Sequence, residues 1–205
     1  MKDTVEHFLR DRLHFELVPK DLQAILAEIV KEPEFVASDR NPLQMVGAEL
    51  LWSGKTTPLL DHDYLNDRDR ADIYTMSNVS AMRDTAAKLS LFLVQRNRSL
   101  LGYWPVDLEQ GGPSQTVFEL DTEGQYRIGE GPTLAETLCY RFILNESPSQ
   151  FEAMAKMFKA LGIQVPYKSV DKIYADMVNL ETKIDQSPQA YRSARYDHYV
   201  ERAKR

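Results

Sequence analysis

The sequence predicts an α+β fold, in which an antiparallel meander sheet packs with helices and a C-terminal helical extension follows. Two features carry this prediction. Apolar residues recur at helical spacing near the N-terminus and again after residue 133, and short apolar runs separated by turn sequences fill residues 89–129. The chain has 205 residues, 43% hydrophobic and 27% charged, which is typical of a soluble globular protein.

Two helices are predicted before residue 32. The apolar residues of the first share one face: Val5, Phe8, Leu9 and Leu13. Asp3 or Thr4 is its expected N-cap residue. The second helix has Pro19 in its first turn, and its apolar residues keep the same spacing: Leu22, Ile25, Leu26 and Ile29.

The middle of the chain predicts the sheet. Residues 45–52 fit a short strand or a helical turn, residues 53–70 have the composition of a loop, and a helix is expected at about 71–88. The meander strands are expected at residues 89–95, 100–106, 116–120 and 125–129. Between the last two, Asp-Thr-Glu-Gly at 121–124 is typical of a β-turn.

Helices return after the sheet. Thr133 with Glu136 has the pattern of a capping box, and so has Ser147 with Gln150. Gly162 is expected to end the helix that Ser147 begins. The following helix, capped by Ser169, has an inward face predicted to hold Val170, Ile173, Met177, Leu180 and Ile184.

A last helix is expected from Pro188 onward. We place a boundary near residue 146, so that residues 1–145 form the α+β domain and 146–205 form the extension packed on it. The charged N-terminal sequence does not match a signal peptide, and no run of eighteen apolar residues occurs. We therefore expect a cytoplasmic protein without a membrane partner.

The net charge of −6 is unevenly distributed. Residues 186–205 carry +3, which leaves −9 on the rest of the chain. The tyrosines and arginines of this tail could contact nucleic acid, or the tail could be an amphipathic helix packed on the body. Because an acidic body disfavours phosphate contacts, we favour the packed helix, expect no nucleic-acid partner and consider a basic protein partner instead.

The stretch DHDYLNDRDRAD at 61–72 concentrates five aspartates around one histidine. An EF-hand is excluded, because Leu65 offers no oxygen at the fifth position and Asn66 replaces the glycine of the sixth. No second histidine lies near His62 to complete a transition-metal site. We interpret the stretch as a solvated loop in which Asp67 or Asp69 caps the next helix.

Nothing in the sequence predicts a catalytic site, a metal or a cofactor. The single Cys139 lies in an apolar helical pattern, which indicates a reduced thiol in the core and excludes an internal disulfide. No nucleophile elbow or phosphate loop is present. The dispersed carboxylates Glu109, Asp121, Glu123 and Glu130 leave an enzyme as an alternative.

Two segments, SLLGYWPVD and TVFELDTEGQYRIGEGPTLAETL, together resemble the SUKH superfamily of bacterial immunity proteins. The upstream ELVPKDLQAILAEI is similar to the early helix of that superfamily, so the resemblance covers about residues 14–145. Two departures are KEPEFVASD, where the family has a glycine-containing turn, and the helices after residue 146.

The resemblance implies a protein that neutralises a cognate toxin by stoichiometric binding, often a nuclease or a deaminase, with no catalytic residue. A basic toxin would suit the acidic body, because opposite charge increases the association rate. The candidate contacts are the carboxylates on segments predicted as loops: Asp61, Asp63, Asp67, Asp69 and Asp72, then Glu109, Glu123 and Glu130. A non-catalytic adaptor or regulatory scaffold of the same fold stays open as a further alternative.

Overall fold

A computed structural model of the chain describes residues 1–13, 18–62, 64–104, 116–182, 184 and 187–205. The α+β class is confirmed. Within the described residues, one antiparallel meander of five strands in sequence order is flanked by helices on both faces. None of the described helices combines the length and the apolar character that crossing a membrane would require.

The sheet contains the predicted strands and one more. Residues 45–52, for which a strand and a helical turn were both open, contribute an edge strand that pairs with the first strand of the meander. The strands are β1 (Ala48–Leu50), β2 (Ser90–Gln95), β3 (Leu100–Tyr103), β4 (Val117–Leu120) and β5 (Tyr126–Ile128). The predicted turn at 121–124 joins β4 to β5, and Gly124 takes the positive φ of 76° that the turn requires.

Most of the predicted helices are present. Those before β2 are α1 (Lys2–Arg12), α2 (Lys20–Lys31), a 3₁₀ helix (Pro33–Ala37), α3 (Pro42–Met45), α4 (Pro58–Asp61), α5 (Asp67–Ala71) and α6 (Ile73–Ala86). Residues 53–70 are therefore not all loop. The predicted cap of α1 is wrong, since Met1 holds the N-cap position and no side chain bonds there.

The helices after the sheet are α7 (Leu134–Leu144), α8 (Pro148–Ala160), α9 (Val170–Glu181) and α10 (Pro188–Ala203). Thr133 caps α7 as expected. Ser147 precedes α8 but makes no side-chain cap bond, so that capping box is wrong. Gly162, at φ 80°, ends α8 with the bonds of a Schellman motif, from Gly162 N to Lys159 O and from Ile163 N to Phe158 O.

The two faces of the sheet carry separate cores. On one face, α1, α2, α7 and α8 enclose a large core around Phe92, Leu101 and Tyr103. On the other face, α6 and α10 cover a smaller core that includes Trp104 and Phe118. The helices on both sides of residue 146 thus share these cores, while the division into two domains stays a prediction.

Helix α10 packs antiparallel on α6. Near its start, the Tyr191 ring lies 5.0 Å from Lys88 Nζ, and further along, Arg195 Nη2 lies 2.6 Å from Asp84 Oδ2. Tyr191 also contacts Trp104, with 5.9 Å between the ring centroids. The tail tyrosine Tyr191 therefore packs on the body, as predicted for an amphipathic last helix, and the ion pair of Arg195 with Asp84 is a contact that the sequence did not predict.

Candidate partner-binding surface

The acidic run that was predicted as a loop contains α5, which has its own N-terminal cap. Asn66 Oδ1 accepts the N–H of Asp69 at 3.0 Å, and Asp69 Oδ2 accepts the N–H of Asn66 at 3.1 Å. This reciprocal pair is a capping box, in which Asp69 is the third helical residue. The cap residue of α5 is therefore Asn66.

Asp72 is the cap of α6, where Asp67 or Asp69 had been expected. Its Oδ2 accepts the N–H of Thr75 at 2.8 Å and the hydroxyl of Thr75 at 2.6 Å. These two hydrogen bonds lower the pKa of the Asp72 carboxyl. The prediction is wrong because residues 67–71 form a helix of their own, and α6 begins only after it.

Asp61 and Asp67 are exposed. Asp61 ends α4 and accepts the hydroxyl of Thr56 at 2.6 Å, while Asp67 lies in the first turn of α5. A carboxylate at a helix N-terminus is stabilised by the helix dipole. Asp63 and Glu109 lie outside the described residues. The structure thus brings Asp61, Asp67, Asp69 and Asp72 together on one surface segment.

Three large apolar side chains are exposed among these carboxylates. Tyr64 is 58% exposed, Tyr74 49% and Ile73 40%. The Tyr64 hydroxyl lies 3.3 Å from Nδ1 of the buried His62, within hydrogen-bonding distance. We call the following seven residues the acidic surface: Asp61, Tyr64, Asp67, Asp69, Asp72, Ile73 and Tyr74.

Sequence reasoning missed the apolar members of the acidic surface. Ile73 and Tyr74 follow a cap residue at the start of an apolar helix, and such residues usually face a core. The available signal was Tyr64, a large aromatic residue inside a run that is otherwise charged. Aromatic side chains are enriched at protein–protein interfaces, so their exposure here adds to what the carboxylates indicate.

Cations also border the acidic surface. A groove of about 400 Å³ separates the start of α6 from the end of α10, and Arg70 and Arg202 are among the residues that line it. Lys204 Nζ lies 5.5 Å from the centroid of the Tyr74 ring. Because α10 runs antiparallel to α6, the basic C-terminal end of the chain lies next to the acidic surface. Positive and negative side chains therefore lie side by side here.

Glu123 lies apart from the acidic surface. It belongs to the β4–β5 turn, where Gly124 lies against Met82 in the second half of α6. Met82 follows Asp72 by ten residues, which is about 15 Å along a helix axis. Glu123 is exposed, and its role as a partner contact at the edge of a larger interface stays a prediction.

Glu130 is bound internally. Its Oε2 accepts Arg141 Nε at 2.9 Å, and Arg141 Nη2 donates to Glu119 Oε2 at 2.6 Å. Burial raises the pKa of the Glu130 carboxyl. Burial by itself would lower the pKa of Arg141, but the charges of Glu130 and Glu119 outweigh it and raise that pKa. Since the arginine lies between both carboxylates, we do not include Glu130 in the partner-binding surface.

Within the described ranges, no three His, Cys, Asp or Glu side chains converge so that they could hold a metal ion. Because Asp63 and Glu109 lie outside those ranges, the sequence-based prediction of no metal stays a prediction. Comparison of the chain with protein-family models, with curated proteins and with solved structures finds no match.

Proposed function

We propose that the protein binds a basic protein partner through the acidic surface and blocks that partner by covering it. One observation carries the proposal: exposed Tyr64, Ile73 and Tyr74 lie among four carboxylates on a single segment. The resemblance to the SUKH superfamily supports a toxin as the partner and the cytoplasm as the place of action.

The two kinds of side chain would contribute differently to binding. Tyrosine rings supply large contact area at a small loss of conformational entropy, and interface hot spots are enriched in them. The carboxylates would pair with cations of the partner while the bordering Arg70, Arg202 and Lys204 meet its anions, and this pattern would fix the orientation of the complex. The net charge of −6 of the whole chain would increase the rate of encounter with a basic partner at distances up to the Debye length of about 10 Å.

The acidic surface is also preorganised for contact. The carboxylates of Asp69 and Asp72 are held by backbone N–H groups at the starts of α5 and α6. The Tyr64 hydroxyl contacts a buried histidine. Side chains that are ordered before binding lose less entropy on association, so such a surface favours affinity.

A direct test is co-expression with the product of the neighbouring reading frame, scoring growth, complex formation and the association rate. In one variant, Asp61, Asp67, Asp69 and Asp72 are all changed to Asn, which removes four charges and keeps the caps, because Asn caps helices about as well as Asp. We expect association at low salt to slow by about tenfold or more, and its salt dependence to weaken.

A matched control neutralises four exposed acids on the opposite side of the sheet: Asp3→Asn, Glu6→Gln, Glu34→Gln and Glu152→Gln. Equal slowing in both variants would show that net charge alone matters and would overturn the assignment of the surface. A stable complex without rescue of growth would favour the adaptor. Turnover of a small substrate by the purified protein would favour the enzyme.

A further inference from the structure

Helix α9 presents a second exposed apolar face. Tyr167, just before the helix, and Val170, Tyr174 and Val178 within it are between 41% and 67% exposed. These four residues are named the α9 stripe. The last three are spaced by four residues, so they form one ridge along the helix. Val170 had been predicted to face inward, and its exposure shows that prediction to be wrong.

The core uses a different face of the same helix. Ile173 is fully buried in the large core, and Met177 packs against that core. At 100° per residue, Tyr174 lies about 100° around the helix from Ile173, and Val178 lies about 140° from it. Two apolar faces therefore run along α9, and the fold buries one of them.

The charges beside the stripe are negative. Asp171 and Glu181 are exposed on its side of the helix, about 160° and 80° from Ile173. The nearby lysines are bound on the opposite side, where Lys168 Nζ and Lys172 Nζ lie 3.0 and 2.9 Å from the Asp176 carboxylate. The ridge is thus apolar with an acidic border.

The α9 stripe is separate from the acidic surface. Ile173 anchors α9 in the core on one face of the sheet, whereas α6 and its neighbours cover the other face. A partner domain that covers the start of α6 therefore leaves the α9 stripe free.

We propose that the α9 stripe is a second docking surface, and that its occupant is an amphipathic helix with apolar side chains flanked by Lys or Arg. A ridge with four-residue spacing packs into the groove between the ridges of another helix. The acidic border favours cations on that helix. A second copy of this chain would bring its own Asp171 and Glu181, so like charges disfavour self-association.

The probe is a fluorescein-labelled peptide of leucine and lysine, about 14 residues or four turns long, with its leucines on one face. A second peptide has glutamate in place of lysine. We expect saturable binding of the lysine peptide to the purified chain by fluorescence anisotropy, and at least about tenfold weaker binding of the glutamate peptide.

Val178→Asp separates apolar contact from charge. It adds a negative charge, which by itself would strengthen binding of the lysine peptide. It also places a polar group on the apolar ridge, which removes apolar contact with the peptide. We expect about tenfold weaker binding. The matched control Asn179→Asp adds the same charge on the other side of α9, about 140° around the helix from Tyr174, and should bind the lysine peptide at least as well as the original chain. Asp171→Lys with Glu181→Lys should reverse the preference between the two peptides.

Three results would overturn the proposal. The first is lysine-peptide binding that Val178→Asp leaves unchanged. The second is binding lost in the variant with four asparagines on the acidic surface, since the peptide would then occupy that surface. The third is a dimer, seen by sedimentation, that Val178→Asp dissociates, since the occupant would then be a second copy. Failure of the proposed function leaves these measurements unaffected, because they use no toxin.

Discussion

The carboxylate of Asp21 joins the starts of two helices that are 114 residues apart in sequence. Its Oδ2 accepts the N–H of Ala135, in the first turn of α7, at 2.8 Å. Its Oδ1 accepts the N–H of Leu22 in α2 at 2.9 Å. The side chain is buried, so both bonds lie in the interior, and the carboxylate faces the positive end of the α7 dipole.

Replacing Asp21 by Leu should destabilise the fold, because the N–H of Ala135 would lose its acceptor inside the core. An unsatisfied buried donor costs about 1–3 kcal/mol of unfolding free energy. Asp21→Asn keeps an acceptor oxygen and should cost less than Asp21→Leu. Urea unfolding followed by circular dichroism measures both. Equal losses in the two variants would contradict this account of the bond.

The same carboxyl should make stability depend on pH. Burial raises the pKa of Asp21 in the folded state above 3.8, the ordinary value of an aspartate in an unfolded chain. Between pH 3.8 and this raised pKa, the folded state therefore binds the proton more tightly than the unfolded state. The stability contributed by Asp21 is therefore fully present below pH 3.8 and is lost as pH rises through the raised folded pKa. The difference in urea midpoint between the original chain and Asp21→Asn should fall over that window. A difference that rises with pH would contradict the sign.

Local signals in the sequence were enough to predict the α+β class. The turn at 121–124, the cap at Thr133 and the glycine stop at Gly162 depend on a few neighbouring residues, and each is found where it was expected. Long-range contacts left no such signal. Asp21 has the appearance of an ordinary first-turn acid, and nothing near it in sequence indicates a bond to residue 135.

The candidate surfaces could also be predicted only in part, because the exposure of a side chain depends on long-range packing. The aspartates of the acidic surface are visible as a run, but whether Ile73 and Tyr74 are exposed depends on how α6 lies against the sheet. Periodicity correctly placed Ile173 and Met177 of α9 on the inward face, but it wrongly placed Val170 there as well. It gave no sign that Tyr174 and Val178 form a second, exposed ridge.

Removing the arginine that joins two half-buried carboxylates should be destabilising. Arg141, Glu119 and Glu130 have side chains no more than 19% exposed, so Arg141→Met leaves two poorly solvated carboxylates without a cation. Breaking a fully buried ion pair costs about 3–5 kcal/mol of unfolding free energy, and the partial exposure of this network puts the expected loss below that range. The control Arg127→Met removes an arginine that is 67% exposed, and such exposed pairs are worth about 0–1 kcal/mol.

A compensated variant tests the cause. Arg141→Met combined with Glu119→Gln and Glu130→Gln removes the charges together and should recover most of the lost stability, because replacing a whole buried ion network is often close to neutral. Chemical denaturation of the three variants gives the comparison. No recovery in the triple variant would show that packing of the arginine side chain, not its charge, supports this region.

Asp72 should contribute to stability as a cap rather than as a charge. Asp72→Ala removes the acceptor for Thr75, whereas Asp72→Asn keeps one. We expect a Tm lower by about 2–4 °C for the alanine variant and a smaller change for the asparagine variant. Differential scanning calorimetry of both decides this. Equal shifts would mean that the carboxylate charge matters, and the variant with four asparagines would then need a stability correction before its binding is compared.

The thiol of Cys139 should react only when the protein unfolds. Cys139 is the single cysteine of the chain, and it is fully buried in α7. Burial, with a smaller contribution from the Glu136 charge, raises its pKa to about 12. Since the thiolate is the nucleophile, a thiol reagent at about pH 8 should modify less than about a tenth of the native protein in an hour.

In about 6 M guanidinium chloride the same reagent should label one equivalent at once. Rapid labelling of the native chain would show that α7 opens locally, and it would contradict the rigid core that Asp21 and Arg141 are expected to stabilise. If the native thiol is inert as expected, a cysteine placed at Thr182, which is exposed at the end of α9 and lies one helical turn after Val178, becomes the one reactive site beside the α9 stripe. A fluorophore there would report directly on a helix that docks on it.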